Sequence, residues 1–178
     1  MINELIKEIG VSLKNDCWFV ALNTALTLPD ICGKAEFPEY KGKGKDKRRY
    51  LDWLKEYGRL NANNLISAND LYALRCCMSH QGTPSTKQNG KNIDEFELIV
   101  NSNRQHTVTM QAIYHTPDKY VLSINVFYIC ELLCRIAEAY YNSNKEKFDF
   151  FKYRAVSVDY RKANILSKEK DLFRLKFD

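Results

Sequence analysis

An arginine and a histidine stand five residues apart in Leu71-Tyr72-Ala73-Leu74-Arg75-Cys76-Cys77-Met78-Ser79-His80-Gln81-Gly82, a largely apolar stretch that reads as one helix stopped by glycine. Five residues carry a chain about 140° round a helix axis, at about 100° per residue, so the two side chains do not stack on one face. Arg75 is long enough to wrap partway round. His80, in the last turn, meets the partial negative charge of the helix C-terminus, which favours a protonated imidazole near neutral pH. Arg75 offers a fixed positive fork suited to a phosphate. An Arg and a His without an acidic metal cluster suit metal-independent cleavage of RNA. The ribose 2′-OH attacks its own phosphate, the His moves the proton, and the Arg stabilises charge building on the phosphorus oxygens. One such pair is thin for the task, and two pairs facing each other across a two-fold homodimer axis are adequate. The scheme requires no metal and no cofactor.

Arg75-x4-His80, on a helix that ends just beyond it, resembles the signature of the HEPN superfamily. The wider wording Leu71-Tyr72-Ala73-Leu74-Arg75-Cys76 with His80-x-Gly82 is similar to a group of uncharacterised bacterial and phage proteins. Leu28-Pro29-Asp30-Ile31-Cys32-Gly33 and Arg49-Tyr50-Leu51-Asp52-Trp53-Leu54 look like that group's other shared stretches. The resemblance implies a mainly α, HEPN-like helical bundle, small and dimeric, of the kind found in toxin-antitoxin and antiviral systems. It also implies Arg75 and His80 as the catalytic pair of an endoribonuclease at the dimer interface, with RNA and an antitoxin as partners. The sequence departs from the active families at Cys76, where they commonly carry a polar residue such as Asn or Asp. The other reading of the same fold is a non-catalytic interaction protein in which Arg75 and His80 hold a dimer or partner interface together.

Other residues give weaker signals. Lys41 to Arg49 reads as a basic loop, with Lys43, Lys45, Lys47, Arg48 and Arg49 as RNA contacts and Tyr40 and Tyr50 at its borders. Cys130 and Cys134 lie one helical turn apart on an apolar stripe, with nothing placed by sequence to complete a tetrahedral metal site. His106 and His115 flank the strand pattern and read as surface residues. Asp30 and Asp52 suit capping or surface pairing as well as the positioning of a base. No phosphate-binding glycine loop or nucleophile elbow is present.

The chain that must position these residues has 178 of them, enough for one domain. Seven Gly and four Pro are few for a loop-rich β fold, and a net charge of +5 permits a nucleic-acid partner while excluding a histone-like protein. The apolar spacing at the start is helical and not that of a signal peptide, and no run is long enough to span a membrane. Six cysteines without an export signal point to free thiols in a reducing, cytoplasmic setting.

Ile2, Leu5, Ile6, Ile9 and Leu13 predict an amphipathic helix to about Asn15. Asp16 is placed to cap a second, Cys17 to about Leu28, which Pro29 and Gly33 stop. A third helix runs from Arg48 to Tyr57, and Ser67 with Asp70 forms a capping box opening a fourth to His80. Residues 83–92 read as a polar loop. Period-two alternation over 95–122, with a turn at Thr116-Pro117, predicts a small antiparallel β insertion between helices. Ser123 then caps the longest helix, Ile124 to about Asn142, with Val126, Cys130, Leu133, Ala137 and Tyr140 as its apolar stripe. A basic C-terminal extension, 145–178, follows, and the resemblance implies a single HEPN-like domain over 1–178.

Overall fold

The computed structural model describes residues 1–60, 66–80, 86–88, 91–100, 108–112 and 119–150; for His80 and for 86–88, 91–92, 108–112 and 119 it describes the backbone alone. Among them are five α-helices and one four-stranded sheet: α1 Ile2–Lys14, α2 Trp18–Glu36, α3 Lys45–Glu56, α4 Ala68–His80, β1 Thr86–Gln88, β2 Lys91–Ile99, β3 Val108–Ala112, β4 Lys119–Asn125 and α5 Val126–Ser143. The turn at Thr116-Pro117, His106, His115 and the extension beyond 150 lie outside the described residues.

The most apolar helix, α2, is the hub and packs against α1, α3, α4 and α5. It does not stop at Leu28. Pro29 sits inside it, and Pro29, Cys32, Gly33 and Ala35, all past the expected end, are buried. An interior proline costs about 3 kcal/mol through the lost N–H bond and ring crowding. Each buried CH₂ returns about 0.8 kcal/mol, so burial of Cys32 and Ala35 with Ile31 packed on the core helps keep the chain helical past Pro29. Gly33 is where α3 crosses rather than a stop signal: a Cβ there would lie 2.8 Å from the Arg49 carbonyl oxygen. Asp16 does not cap α2. It takes a left-handed φ of 56°, and Cys17 precedes the helix without a side-chain cap.

The basic segment is also largely helical, since α3 begins at Lys45. Gly42 and Gly44, at φ 101° and 78°, make the left-handed turns that bring the chain into it. Lys and Arg are good helix formers, and burial of Tyr50, Trp53 and Leu54 fixes the helix against α2. The capping box of α4 forms as expected. Asp70 Oδ2 accepts from the Ser67 backbone N–H at 2.8 Å and hydroxyl at 2.6 Å, while Asp70 N–H donates to Ser67 Oγ at 3.2 Å.

The sheet corrects the expected antiparallel insertion in order and extent. Its strand order is β1-β2-β4-β3; the central β2/β4 pair is parallel, with antiparallel pairs on either side. β1 falls in the segment read as a polar loop, because an edge strand pairs through its main chain and needs no apolar alternation. One extra residue at Asp94 shifts the register between Ile93 and Glu95. That bulge lets Ile93 and Phe96, three apart, both pack on the core. β4 runs on through Ser123, which bonds Glu97 instead of capping α5. The cap is Asn125, whose Oδ1 accepts from Tyr128 N–H at 3.2 Å. The predicted stripe of α5 is buried throughout.

The first residues of the basic extension pack on the bundle. Lys145–Phe148 forms a 3-10 turn with Phe148 buried, and Lys147 Nζ donates to Glu36 of α2 at 2.5 Å. No helix among the described residues is long and apolar enough to cross a membrane.

Candidate functional site

Because α2 continues past Pro29, Asp30 stands on a rigid helix facing α4. Arg75 Nε donates to Asp30 Oδ2 at 3.0 Å, the two side chains remaining 28% and 25% exposed. Burial pushes the Asp30 carboxyl above its ordinary value, and Arg75 opposes this only in part. For Arg75, burial is the largest influence and works against the charge, but Asp30, Cys76 and Tyr72 together outweigh it, so the guanidinium is held firmly protonated. The pair leaves a fixed, partly accessible cation on the surface of the bundle.

Tyr72 precedes Arg75 by one turn and shares its helix face. Its ring meets Tyr50 of α3 edge-on, 5.3 Å between centroids, and Lys47 Nζ lies 5.3 Å from its centroid. The Cys76 thiol lies beside both Tyr72 and Arg75, and burial first, then Cys76, raises the Tyr72 pKa. Tyr50 is fully buried, its hydroxyl has no hydrogen-bond partner among the described residues, and burial pushes its pKa well up. It therefore cannot serve as a surface aromatic beside the basic segment, as its position in the sequence suggests. Tyr72 takes that place.

The predicted cations divide. Lys43 is exposed in the turn before α3, and Lys45 opens the helix. Lys47 and Arg48 are exposed, while Arg49 is half-buried, ion-paired with Asp46 and near enough to lower the Asp30 pKa. Arg48 pairs with Asp52 at 3.3 Å and also lies over Tyr40, 4.5 Å from its centroid. His80 is the last residue of α4, about 7.5 Å along the axis from Arg75 at 1.5 Å per residue; its side chain lies outside the described residues.

Asp30 and Tyr72 are the residues whose roles composition and periodicity do not reveal. The stretches 28–33, 49–54 and 71–76 that carry them and their neighbours lie far apart in sequence. They meet here through the Asp30–Arg75 bond, the Gly33–Arg49 crossing and the Tyr50–Tyr72 contact.

Elsewhere, a cavity of about 330 Å³ between α1 and α5 is lined by Ile6, Ile9, Leu13, Phe127, Cys130 and Cys134, among others, and by none of the Arg75 neighbours. Burial pushes the Cys130 thiol to about 12 and the Cys134 thiol to about 11, so both are protonated at neutral pH. Among the described residues no group of three or more His, Cys, Asp or Glu is placed to hold a metal. No protein-family model, curated protein or solved structure matches the chain.

Proposed function

We propose that this protein binds RNA and cleaves it without a metal, through Arg75 and His80 brought together in duplicate at a homodimer interface, as in HEPN-like ribonucleases of toxin-antitoxin and antiviral systems. The observation that carries the reading is Arg75 itself, a cation anchored by Asp30 across two helices yet still accessible. Such an arginine is preorganised for a phosphorane-like transition state, because its orientation is set before substrate arrives. His80, at the C-terminal end of the same helix, supplies the proton-transfer group near neutral pH. Lys43, Lys45, Lys47, Arg48 and Arg49 attract the backbone of the substrate.

The ion pair also favours a second reading, in which Arg75 and Asp30 are structural and the protein is a non-catalytic dimeric interaction protein. Treating the protein with EDTA and incubating it with single-stranded RNA separates the two. The catalytic reading gives products with cyclic-phosphate ends, lost in Arg75→Ala and His80→Ala variants that remain folded and dimeric. Intact RNA, together with variants that dissociate the dimer, establishes the second reading instead.

A further inference from the structure

Lys47 and Arg48 are consecutive on the first turns of α3, so their side chains diverge by about 100°. Each meets an aromatic ring from a different element. Arg48 lies over Tyr40, which follows α2, and Lys47 lies over Tyr72 of α4. Tyr40 is already stacked on Phe37, with centroids 5.1 Å apart and ring planes within 11°. The turn that holds this stack is closed by Tyr40 N–H donating to the Phe37 carbonyl at 3.1 Å. Arg48 is the open member of the stack, its side chain 57% exposed, and its bond to Asp52 is a solvent-exposed ion pair that a ligand can displace.

We infer that this face is a stacking site for single-stranded RNA, with one base set on the Phe37–Tyr40–Arg48 stack, a second against Tyr72, and Lys47 neutralising a phosphate between them. The inference rests on the RNA reading above and adds to it the form of the substrate. Aromatic and guanidinium planes take up the faces of unpaired bases, whereas a duplex hides those faces and offers a cationic surface only its phosphates. Every base has such a face, so the site tolerates sequence. Tyr72 lies one turn from Arg75, so a strand stacked on Tyr72 carries its next phosphate toward the anchored guanidinium. Acidic protein segments match the charge but have no use for the preformed stack.

Fluorescence anisotropy with a labelled 2′-O-methyl RNA of about 12 nucleotides tests the site independently of cleavage, because that strand has no attacking hydroxyl. The single strand should bind at least about 10-fold more tightly than the same strand annealed to its complement, with Tyr40→Leu, Tyr72→Leu and Arg48→Ala each weakening it about 5- to 100-fold. Tyr72→Phe, which keeps the ring, should bind as the wild type does. Lys47→Ala should instead reduce the salt slope by about 0.7. Arg48 is exposed, so its variant tests the stack even where a tyrosine variant fails to fold. Unchanged single-strand affinity in the folded variants overturns the stacking site and leaves the RNA reading standing. So does a duplex bound as tightly as the single strand, whereas polyglutamate bound as tightly as RNA overturns the stacking site and the RNA reading together. A wild type that binds neither strand nor duplex overturns both.

Discussion

Arg75 of α4 and Asp30 of α2, 45 residues apart in the chain, are joined by one hydrogen bond of 3.0 Å from Nε to Oδ2. The bond forms only because α2 runs through Pro29, so a feature of the core decides where the candidate catalytic arginine stands. Both side chains are mostly buried, and removing one partner leaves the other under-solvated. Asp30→Asn should cost about 1–2 kcal/mol of stability. A double-mutant cycle with Arg75→Met, followed by urea unfolding, should show a coupling of about 1 kcal/mol. Additive effects would mean that the two residues do not hold each other in solution.

Two glycines in neighbouring helices should respond oppositely to alanine. Gly33→Ala forces a Cβ within 2.8 Å of the Arg49 carbonyl and must push α3 off α2, at a cost of about 1–3 kcal/mol. Gly10, inside α1, has nothing within 4 Å of its Cβ position, so Gly10→Ala should raise stability by about 0.5–1 kcal/mol. Thermal melts of the two variants check the contrast.

Tyr50 buries a hydroxyl without a partner among the described residues. Its ring fills the space between α3 and α4, where no described residue gives the oxygen a hydrogen bond to replace water. Tyr50→Phe should therefore leave the melting temperature unchanged or raise it, whereas Tyr50→Ala should cost about 3–5 kcal/mol. A large loss in the Phe variant would show that the hydroxyl is bonded in solution.

Glu36 ties the start of the C-terminal extension to α2, accepting from Tyr140 Oη at 2.7 Å and Lys147 Nζ at 2.5 Å. Burial alone would raise its pKa, but hydrogen bonds from Lys147, Tyr140 and Tyr57 outweigh that and hold it below the ordinary 4.5. The sign follows from a depressed carboxylate. Its contribution is complete above the unfolded value and disappears as pH falls through the lower folded one. Glu36→Gln should flatten the pH dependence of stability in that acidic window, measured by urea titrations from neutral pH downward. An unchanged acid limb would remove Glu36 from the account.

The parts of this fold legible in sequence are those governed by local rules. The stripe of α1, the Ser67–Asp70 box and the buried face of α5 all follow from spacing and capping chemistry. The parts that are not legible depend on contacts distant in sequence. Pro29 reads as a stop until the residues beyond it find a core, and Lys41 to Arg49 reads as a loop until Tyr50, Trp53 and Leu54 dock. Alternation marks β2 and β3 as strands, and the turn at Thr116-Pro117 leads into β4, but neither signal carries information on which neighbours the strands take, so the parallel pairing is invisible. Arg75 stands out as a cation on an apolar helix. Its partner does not, because an aspartate after a proline on another helix carries no mark of what it faces.

In the proposed reaction an anchored guanidinium at position 75 stabilises a phosphate during metal-free RNA cleavage. Arg75→Lys tests it most directly, since it keeps the charge and the long-range attraction for RNA but loses the planar fork held by Asp30. In EDTA, the rate of single-stranded RNA cleavage by this variant should fall by about 100-fold or more relative to the wild type, a loss typical of removing a transition-state donor. A wild type that leaves the RNA intact, or a Lys variant that cuts at the wild-type rate, would contradict the account.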